Sequence, residues 1–270
     1  MKIYDCTIFN GENLILEIRL NELNKFVDYF VIVEFGETFT GVKKKQSIDH
    51  DLLKKFNHKV RYYFINTKLS EINPWKREGL QRNQLTKGIT DSNMDDIIMI
   101  SDVDEIPNLK TFNFSNVGDW VYAFSLSHSM YKLNLMRQVK WIGTKLCKRK
   151  NFKTPQWLRS LKVHKKYSFF RLDKLFSKTY YSKFKILENS GWHFGWLMKP
   201  EKIVEKINSY SHTEHNIPLN NNISFIKENI NNQINFLDKN DILTVDDDIE
   251  KLPNYVKNNL EKFNEWIIKK

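Results

Sequence analysis

Two hydrophobic periods take turns along the first hundred residues. Residues 2–9 (KIYDCTIF) are a short run of β-branched and aromatic side chains and read as a first strand. Behind it Leu16, Leu20, Leu23 and Val27 recur at helical spacing. Residues 28–35 (DYFVIVEF), 60–65 (VRYYFI) and 96–101 (DIIMIS) read as three more strands. A polar loop, residues 36–46, follows the second of them. Residues 47–56 (SIDHDLLKKF) then predict a helix with Ser47 as its N-cap. Residues 73–89 predict another, with Asn73 as cap, Pro74 at the first helical position and Gly88 as the stop. Strand and helix in alternation predict an α/β fold with a mainly parallel central sheet flanked by helices.

After Pro107 the rhythm changes. Residues 120–135 alternate in part and predict one or two longer strands, whereas 137–185 are basic, aromatic and without a clear period. Residues 186–197 (ILENSGWHFGWL) read as a strand or turn around two glycines. A helix opened by Pro200 is predicted over 199–212, and amphipathic C-terminal helices over 223–237 and 255–270. No internal repeat or low-complexity tract interrupts the chain, so its 270 residues are expected to form a single domain.

The fourth strand ends in three carboxylates, Asp102, Asp104 and Glu105. Such a cluster is costly unless positive charge offsets it. Residues at i and i+2 of an extended backbone point the same way, so Asp102 and Asp104 are expected to aim at one point if the strand continues through them. Two oxygen ligands on a rigid element suit Mg²⁺ or Mn²⁺. Ligands of open α/β sheets bind outside the carboxyl ends of the strands, where this motif falls. A nucleoside diphosphate leaving group needs such an ion to take up developing charge. A D-x-D in this place therefore points to a nucleotide-sugar transferase.

A D-x-D phosphohydrolase is the competing enzyme class, with the first Asp as nucleophile and the second as general acid. It expects the motif at the first strand of the domain and a later acidic pair, which residues 245–250 (VDDDIE) imitate. A calcium loop is disfavoured, because the oxygen-rich spacing and turn glycine are missing after Glu105.

Charge adds a third reading. Lys+Arg 43 against Asp+Glu 32 give a formal net charge of +11, which favours anionic partners. A non-catalytic binder of nucleic acid or anionic surfaces follows from this alone, but no nucleic-acid recognition motif is present, so no nucleic-acid partner is expected. Two cysteines, Cys6 and Cys147, make no disulfide framework and suggest a reducing compartment. No signal peptide precedes Met1-Lys2-Ile3-Tyr4, and no apolar run approaches the ~20 residues that span a bilayer. The expectation is a chain that is cytoplasmic or peripheral at a membrane, with the Lys-rich C-terminal helix as the membrane contact.

Five blocks in order carry a resemblance: residues 5–34, REGLQRN (77–83), ISDVDEIP (100–107), GWHFGW (191–196) and KINSYSHTEHN (206–216). In kind and order they resemble glycosyltransferase family 17, whose animal members add the bisecting GlcNAc of N-glycans. The resemblance implies a GT-A type fold, UDP-GlcNAc as donor, a divalent metal and inversion at the anomeric carbon. It divides the chain into a nucleotide-binding half (1–107), an acceptor and metal-completing half (108–216) and C-terminal helices (217–270). The animal members carry an N-terminal anchor and luminal stem that this sequence lacks. A bacterial or viral enzyme acting on another glycan, lipid-linked or free, is therefore expected.

On this reading Asp102 and Asp104 are the metal ligands, and Glu105 orients a neighbour or a basic side chain. His193 and Lys199 have the spacing of the H-F-x-G-x-x-K-P arrangement in the glycogenin-like GT-A family. By that analogy His193 completes the metal site and Lys199 meets a phosphate. Arg77, Arg82 and Asn83 precede the metal strand and are candidates for donor contact, with Arg82 as a fork on a phosphate or sugar hydroxyl. Arg77 and Glu78 are alternatively a structural ion pair. Asp5 to Asn10 and Glu34 are expected near the base or ribose. Inversion needs a general base. Of the acids between Glu105 and His193, namely Asp119, Asp173 and Glu188, Glu188 is the first candidate, and Glu214 with His212 beside it the second. Trp141, Trp157, Trp192, Trp196 and Tyr210 are candidate sugar platforms, or simply core.

Overall fold

A computed structural model of the chain describes residues 1–162 and 183–269. Its elements run β1 (Ile3–Phe9), α1 (Asn13–Leu23), β2 (Tyr29–Phe35), α2 (His50–Lys54), β3 (Val60–Ile65), α3 (Pro74–Asn83), β4 (Ile97–Asp102) and β5 (Glu105–Pro107). They continue with β6 (Val121–Met130), β7 (Leu135–Met136), β8 (Trp141–Lys148), α4 (Pro155–Ser160), β9 (Phe184–Leu187) and β10 (Gly191–Gly195). The C-terminal part holds α5 (Pro200–Ser209), α6 (Ile223–Asn231), β11 (Ile234–Asn235), β12 (Asp238–Ile242), β13 (Thr244–Val245) and α7 (Asn254–Lys257).

The apolar runs explain the sheet. Its strands lie in the order β13-β7-β6-β8-β4-β1-β2-β3. The quartet β4-β1-β2-β3 is parallel, and β8 joins it antiparallel on β4. Side chains alternate across the two faces, as a pleat requires. Ile3, Phe30, Ile32, Ile97 and Met99 pack with α1, while Tyr4, Cys6, Val31, Val33, Ile98 and Ile100 pack with the segment after α3 and with α4. On the far side β6 is antiparallel to β8 and parallel to both β9 and β10. A smaller core of Ile203, Ile207, Ile226 and Phe236 seats α5 and α6.

β4 stops at Asp102; Val103 and Asp104 form a turn, and β5 resumes at Glu105. β5 pairs antiparallel with β10, His193 opposite Glu105, and Phe194 N–H donates to the Asp104 carbonyl at 2.9 Å. Two motifs about ninety residues apart in the chain are thereby fixed side by side.

Several local expectations are corrected. Asp49, not Ser47, caps α2, accepting from the Asp51 and Leu52 N–H groups. Ser47 instead donates its hydroxyl to buried Glu34 at 2.6 Å. Asn73 does cap α3, accepting from Lys76 N–H, with Pro74 first in the helix. Gly88 does not stop that helix through a left-handed turn. It lies in a 3-10 extension, Gln84–Ile89, where a Cβ would come within 2.3 Å of Val31. The helix expected over 255–270 is confined to four residues of α7, followed by turns and a 3-10 segment, Asn264–Trp266. Tertiary anchoring overrides its period: Glu22 accepts from Asn254 and from the Tyr255 N–H, and Lys262 pairs with Glu17. No described helix is long and apolar enough to cross a membrane.

Candidate active site

The site begins beneath the carboxylate turn. Arg19 of α1 lies on that helix's buried face among Leu16, Leu20 and Leu23 and is itself fully buried. Its Nε donates to Asp5 Oδ2 at 2.8 Å, Nη2 to Ser101 Oγ at 2.6 Å and Nη1 to the Glu105 carbonyl at 2.7 Å. It bolts β1, the end of β4 and the start of β5 together. Glu105 is buried too, and its carboxylate accepts from Asp102 N–H at 3.2 Å, Trp141 Nε1 at 2.6 Å and Arg159 Nη2 at 2.8 Å. A Cβ on Gly143 would come within 2.7 Å of that carboxylate carbon. Glu105 is thus a strut that orients basic and indole neighbours.

The two aspartates face different partners. Asp102 accepts from Arg82 Nη2 at 2.9 Å on one oxygen and from Arg159 Nη2 at 2.6 Å on the other. Burial works to raise its pKa, but Arg159 and Arg82 more than offset it and hold the carboxyl well below the usual range. Asp104 lies 3.7 Å from His193 Nε2 and 3.6 Å from Lys206 Nζ. Burial again opposes ionisation, and Lys206 with His193 prevails, bringing Asp104 down to about 2. Lys206 also meets Glu12 at 3.1 Å, and these carboxylates hold its ammonium pKa above the ordinary value against the pull of burial. The cluster's charge is therefore answered by three cations already in place.

His193 is locked between rings, 4.2 Å from His128 and 4.7 Å from Trp141, centroid to centroid. Its Nδ1 is buried without a hydrogen-bond partner. The distance from Nε2 to Asp104 exceeds a hydrogen bond. Burial, with His193 and Arg137 nearby, pushes His128 down to about 2, so it stays neutral.

These groups floor a cavity of about 510 Å³. Phe39, Trp75, Trp141, Trp196 and Tyr210 wall it, and His212 and His215 line its mouth. A second cavity of about 620 Å³, lined by Lys44, Lys45, Lys199 and Lys202, shares Asn10, Glu12 and Lys206 with the first.

Of the residues singled out from the sequence, Asp102, Asp104 and His193 come together in the first cavity. Arg82 is buried just behind it, held by Asp102, by Glu78 and by Gln156 at 2.6 Å. Asn83 accepts from Gln156 N–H at 3.0 Å, in the first turn of α4, the helix that carries Arg159. Arg77 does not pair with Glu78. It is buried against Glu37 and donates to the Leu69 carbonyl at 3.2 Å, tying two loops together. Lys199 is 65% exposed, 3.7 Å from Glu265, and borders the second cavity. Glu188 is exposed on the turn between β9 and β10, outside both cavities. Glu214 is exposed on the 3-10 turn Thr213–His215, 2.6 Å from His212 Nδ1.

Asp5 and Glu34 are corrected to structural roles. Asp5 is consumed by Arg19, and Glu34 is fully buried among Lys44, Ser47 and Tyr62. Asp119 sits in an exposed ion pair with Lys150 at 2.8 Å, and Asp173 lies outside the described residues. Trp141 and Trp196, with Tyr210, line the cavity; Trp192 donates its indole N–H to the Lys251 carbonyl, and Trp157 packs on the core.

Sequence reasoning missed Arg19, Lys206 and Arg159. Two of them left a trace. Arg19 interrupts the apolar face of α1, and Lys206 sits beside the buried Ile203 and Ile207 of α5. Arg159 lay in a segment without period, where only the Thr154–Pro155 helix start was legible.

An acidic turn at the carboxyl end of a parallel strand thus faces a basic and aromatic cavity. The family model for Glycosyltransferase family 17 matches residues 1–243, and the chain belongs to that family. The chain is 27% identical over 143 residues to the β-1,4-mannosyl-glycoprotein 4-β-N-acetylglucosaminyltransferases of Rattus norvegicus and Homo sapiens. Each match covers 48% of this chain and 27% of the relative's length. Among solved structures, HddC from Yersinia pseudotuberculosis matches with 14% identity and a TM-score of 0.35, covering 70% of this chain and 91% of that one. The inositol-1-phosphate CTP transferase from T. maritima matches with 12% identity and a TM-score of 0.32, covering 100% of this chain and 98% of that one. Scores that low do not define a shared fold. The family's domain thus makes up most of this chain, whereas the curated relatives are matched over only 27% of their length.

Proposed function

We propose that this glycosyltransferase is metal-dependent and inverting, and moves GlcNAc from UDP-GlcNAc to a glycan hydroxyl. The observation that carries the metal reading is the meeting of Asp104, in the turn after β4, with His193 of β10 at the cavity floor. A locked imidazole whose Nε2 faces the Asp104 carboxylate at 3.7 Å, beyond hydrogen-bond distance, fits a mixed nitrogen and oxygen site for Mn²⁺ or Mg²⁺. Asp104 and His193 would hold the ion. Asp102, both of whose oxygens are taken by arginines, contributes by aiming Arg82 and Arg159. Bound there, the metal supplies charge neutralisation for a departing diphosphate.

The chain's own groups supply the rest. Lys206 stands between the two cavities and is a fixed cation for the diphosphate. The basic cavity takes the nucleotide, with Asn10 and Lys199 at its border. The indoles of Trp141 and Trp196 offer stacking faces to sugar rings. At the mouth, His212 accepts the acceptor hydroxyl proton, oriented by its hydrogen bond to Glu214. Glu188, outside the cavity, is not given that role.

The test is nucleoside diphosphate release from a panel of UDP-GlcNAc, UDP-Glc, UDP-Gal and GDP-Man with Mn²⁺. Selective, metal-dependent turnover of UDP-GlcNAc, lost in Asp104→Ala with the fold intact, is the expected outcome. Full activity in that variant would remove the metal assignment. Phosphate release from simple phosphate esters, abolished in Asp102→Asn, would restore the phosphohydrolase reading.

A further inference from the structure

At the mouth of the cavity the sequence His212-Thr213-Glu214-His215 folds into a 3-10 turn just after α5. It brings two imidazoles and a carboxylate together, with one ligand atom from each within 4.8 Å of the others. Among the described residues it is the one cluster of three metal-ligating side chains this close. His212 Nδ1 is 2.6 Å from Glu214 Oε1, and His215 Nε2 is 3.9 Å from the same oxygen. The two imidazole planes are 25° apart with centroids at 5.6 Å. Trp75 packs edge-on to His212 at 4.4 Å, and Tyr210 stacks on His215 at 6.2 Å.

We propose that this turn is a second metal site, separate from the carboxylate floor, that takes a divalent ion of the zinc class. The donor set argues for that class: imidazole nitrogen suits zinc, whereas carboxylate-rich sites suit Mg²⁺ and Mn²⁺. Two histidines and a glutamate make three protein ligands, the number that leaves a fourth position open. Ligand atoms about 2.0–2.2 Å from a tetrahedral ion lie roughly 3.3 Å from one another. The short contact must open by less than 1 Å and the longer ones close by at most roughly 0.6–1.5 Å, on side chains that are 33–56% exposed. The surrounding rings limit how far the imidazoles can splay.

The ion takes the place of the contact between His212 Nδ1 and Glu214. It rests on the transferase reading for one consequence only: a zinc-class ion here removes the acceptor-side base and inhibits transfer. The turn is also wired to the floor. Ser211 donates to Glu78, Glu78 holds Arg82, and Arg82 holds Asp102.

The experiment is a Co²⁺ titration of the full untagged chain, read by the visible absorption of four-coordinate Co²⁺. Asp104→Ala is the background, so that the floor does not compete. One equivalent of four-coordinate Co²⁺, displaced by Zn²⁺ and weakened at least about tenfold by His215→Ala and by Glu214→Gln, is expected. No four-coordinate signal, or a signal unchanged in both variants, overturns the site. Thermal unfolding of each variant checks that loss of binding is not loss of fold. The readout needs neither donor nor turnover, so its failure is distinct from failure of the transferase reading.

Discussion

The floor of the cavity and its mouth use similar side chains and hold them in opposite ways. Beneath the floor Arg19, Asp5 and Glu105 are buried to 0–1% exposure, and each has charged or hydrogen-bonding partners on neighbouring strands and helices. At the mouth His212, Glu214 and His215 are 33–56% exposed and bond mainly to one another. A buried ion network fixes geometry but makes each member costly to remove, because the partner left behind is an unpaired charge in a poor solvent. An exposed turn costs little to change and can adjust to what it binds. Under the proposed function the floor would hold the donor in one place and the mouth would meet the acceptor.

The contrast breaks most visibly in stability. Arg19→Met strands the Asp5 carboxylate and is expected to cost about 3–5 kcal/mol in urea unfolding. A loss below about 1 kcal/mol would mean that the floor is not a coupled network. Next, Asp104→Ala should lower turnover at least about a hundredfold, with a far smaller change in stability than Arg19→Met. Similar losses of fold in both variants would deny the distinction between a structural and a working carboxylate.

Acid titration sharpens the comparison further. His128 beside the floor has a folded pKa near about 2 against an ordinary 6.5. Its neutral burial therefore favours the fold fully above about pH 6.5, and this contribution is lost as pH falls towards about 2. One proton gives a slope of about 1.4 kcal/mol per pH unit over that window. His128→Gln should remove one proton's worth of slope from the pH dependence of unfolding. The smallest effect is expected from His215→Ala, within about 0.5 kcal/mol of the parent by thermal unfolding.

The same contrast explains what the sequence made legible. The parallel quartet was readable because β1, β2 and β4 are short apolar runs whose period is set by the pleat. Asp102 and Asp104 were readable because they close such a run. His193 was flagged only by likeness, since its partner Asp104 is met through the β5–β10 pairing, which no local period announces. Arg159 was invisible: its helix is six residues long and lies in a segment of mixed basic and aromatic composition. The C-terminal segment misled for the opposite reason. Its period suggested one long helix, but contacts with Glu17 and Glu22 of α1 hold it as turns. Periodicity reports faces, and it does not report which distant side chain waits on the other side.

The central claim is that Asp104 and His193 form the seat of a metal that helps hold the donor's diphosphate. Calorimetric titration of UDP with and without Mn²⁺, in the parent chain and in Asp104→Ala, tests it most directly. The account predicts binding that is strengthened by Mn²⁺ in the parent and indifferent to Mn²⁺ in the variant. Equal strengthening in both proteins, or UDP binding that never depends on Mn²⁺ in folded parent, would contradict it.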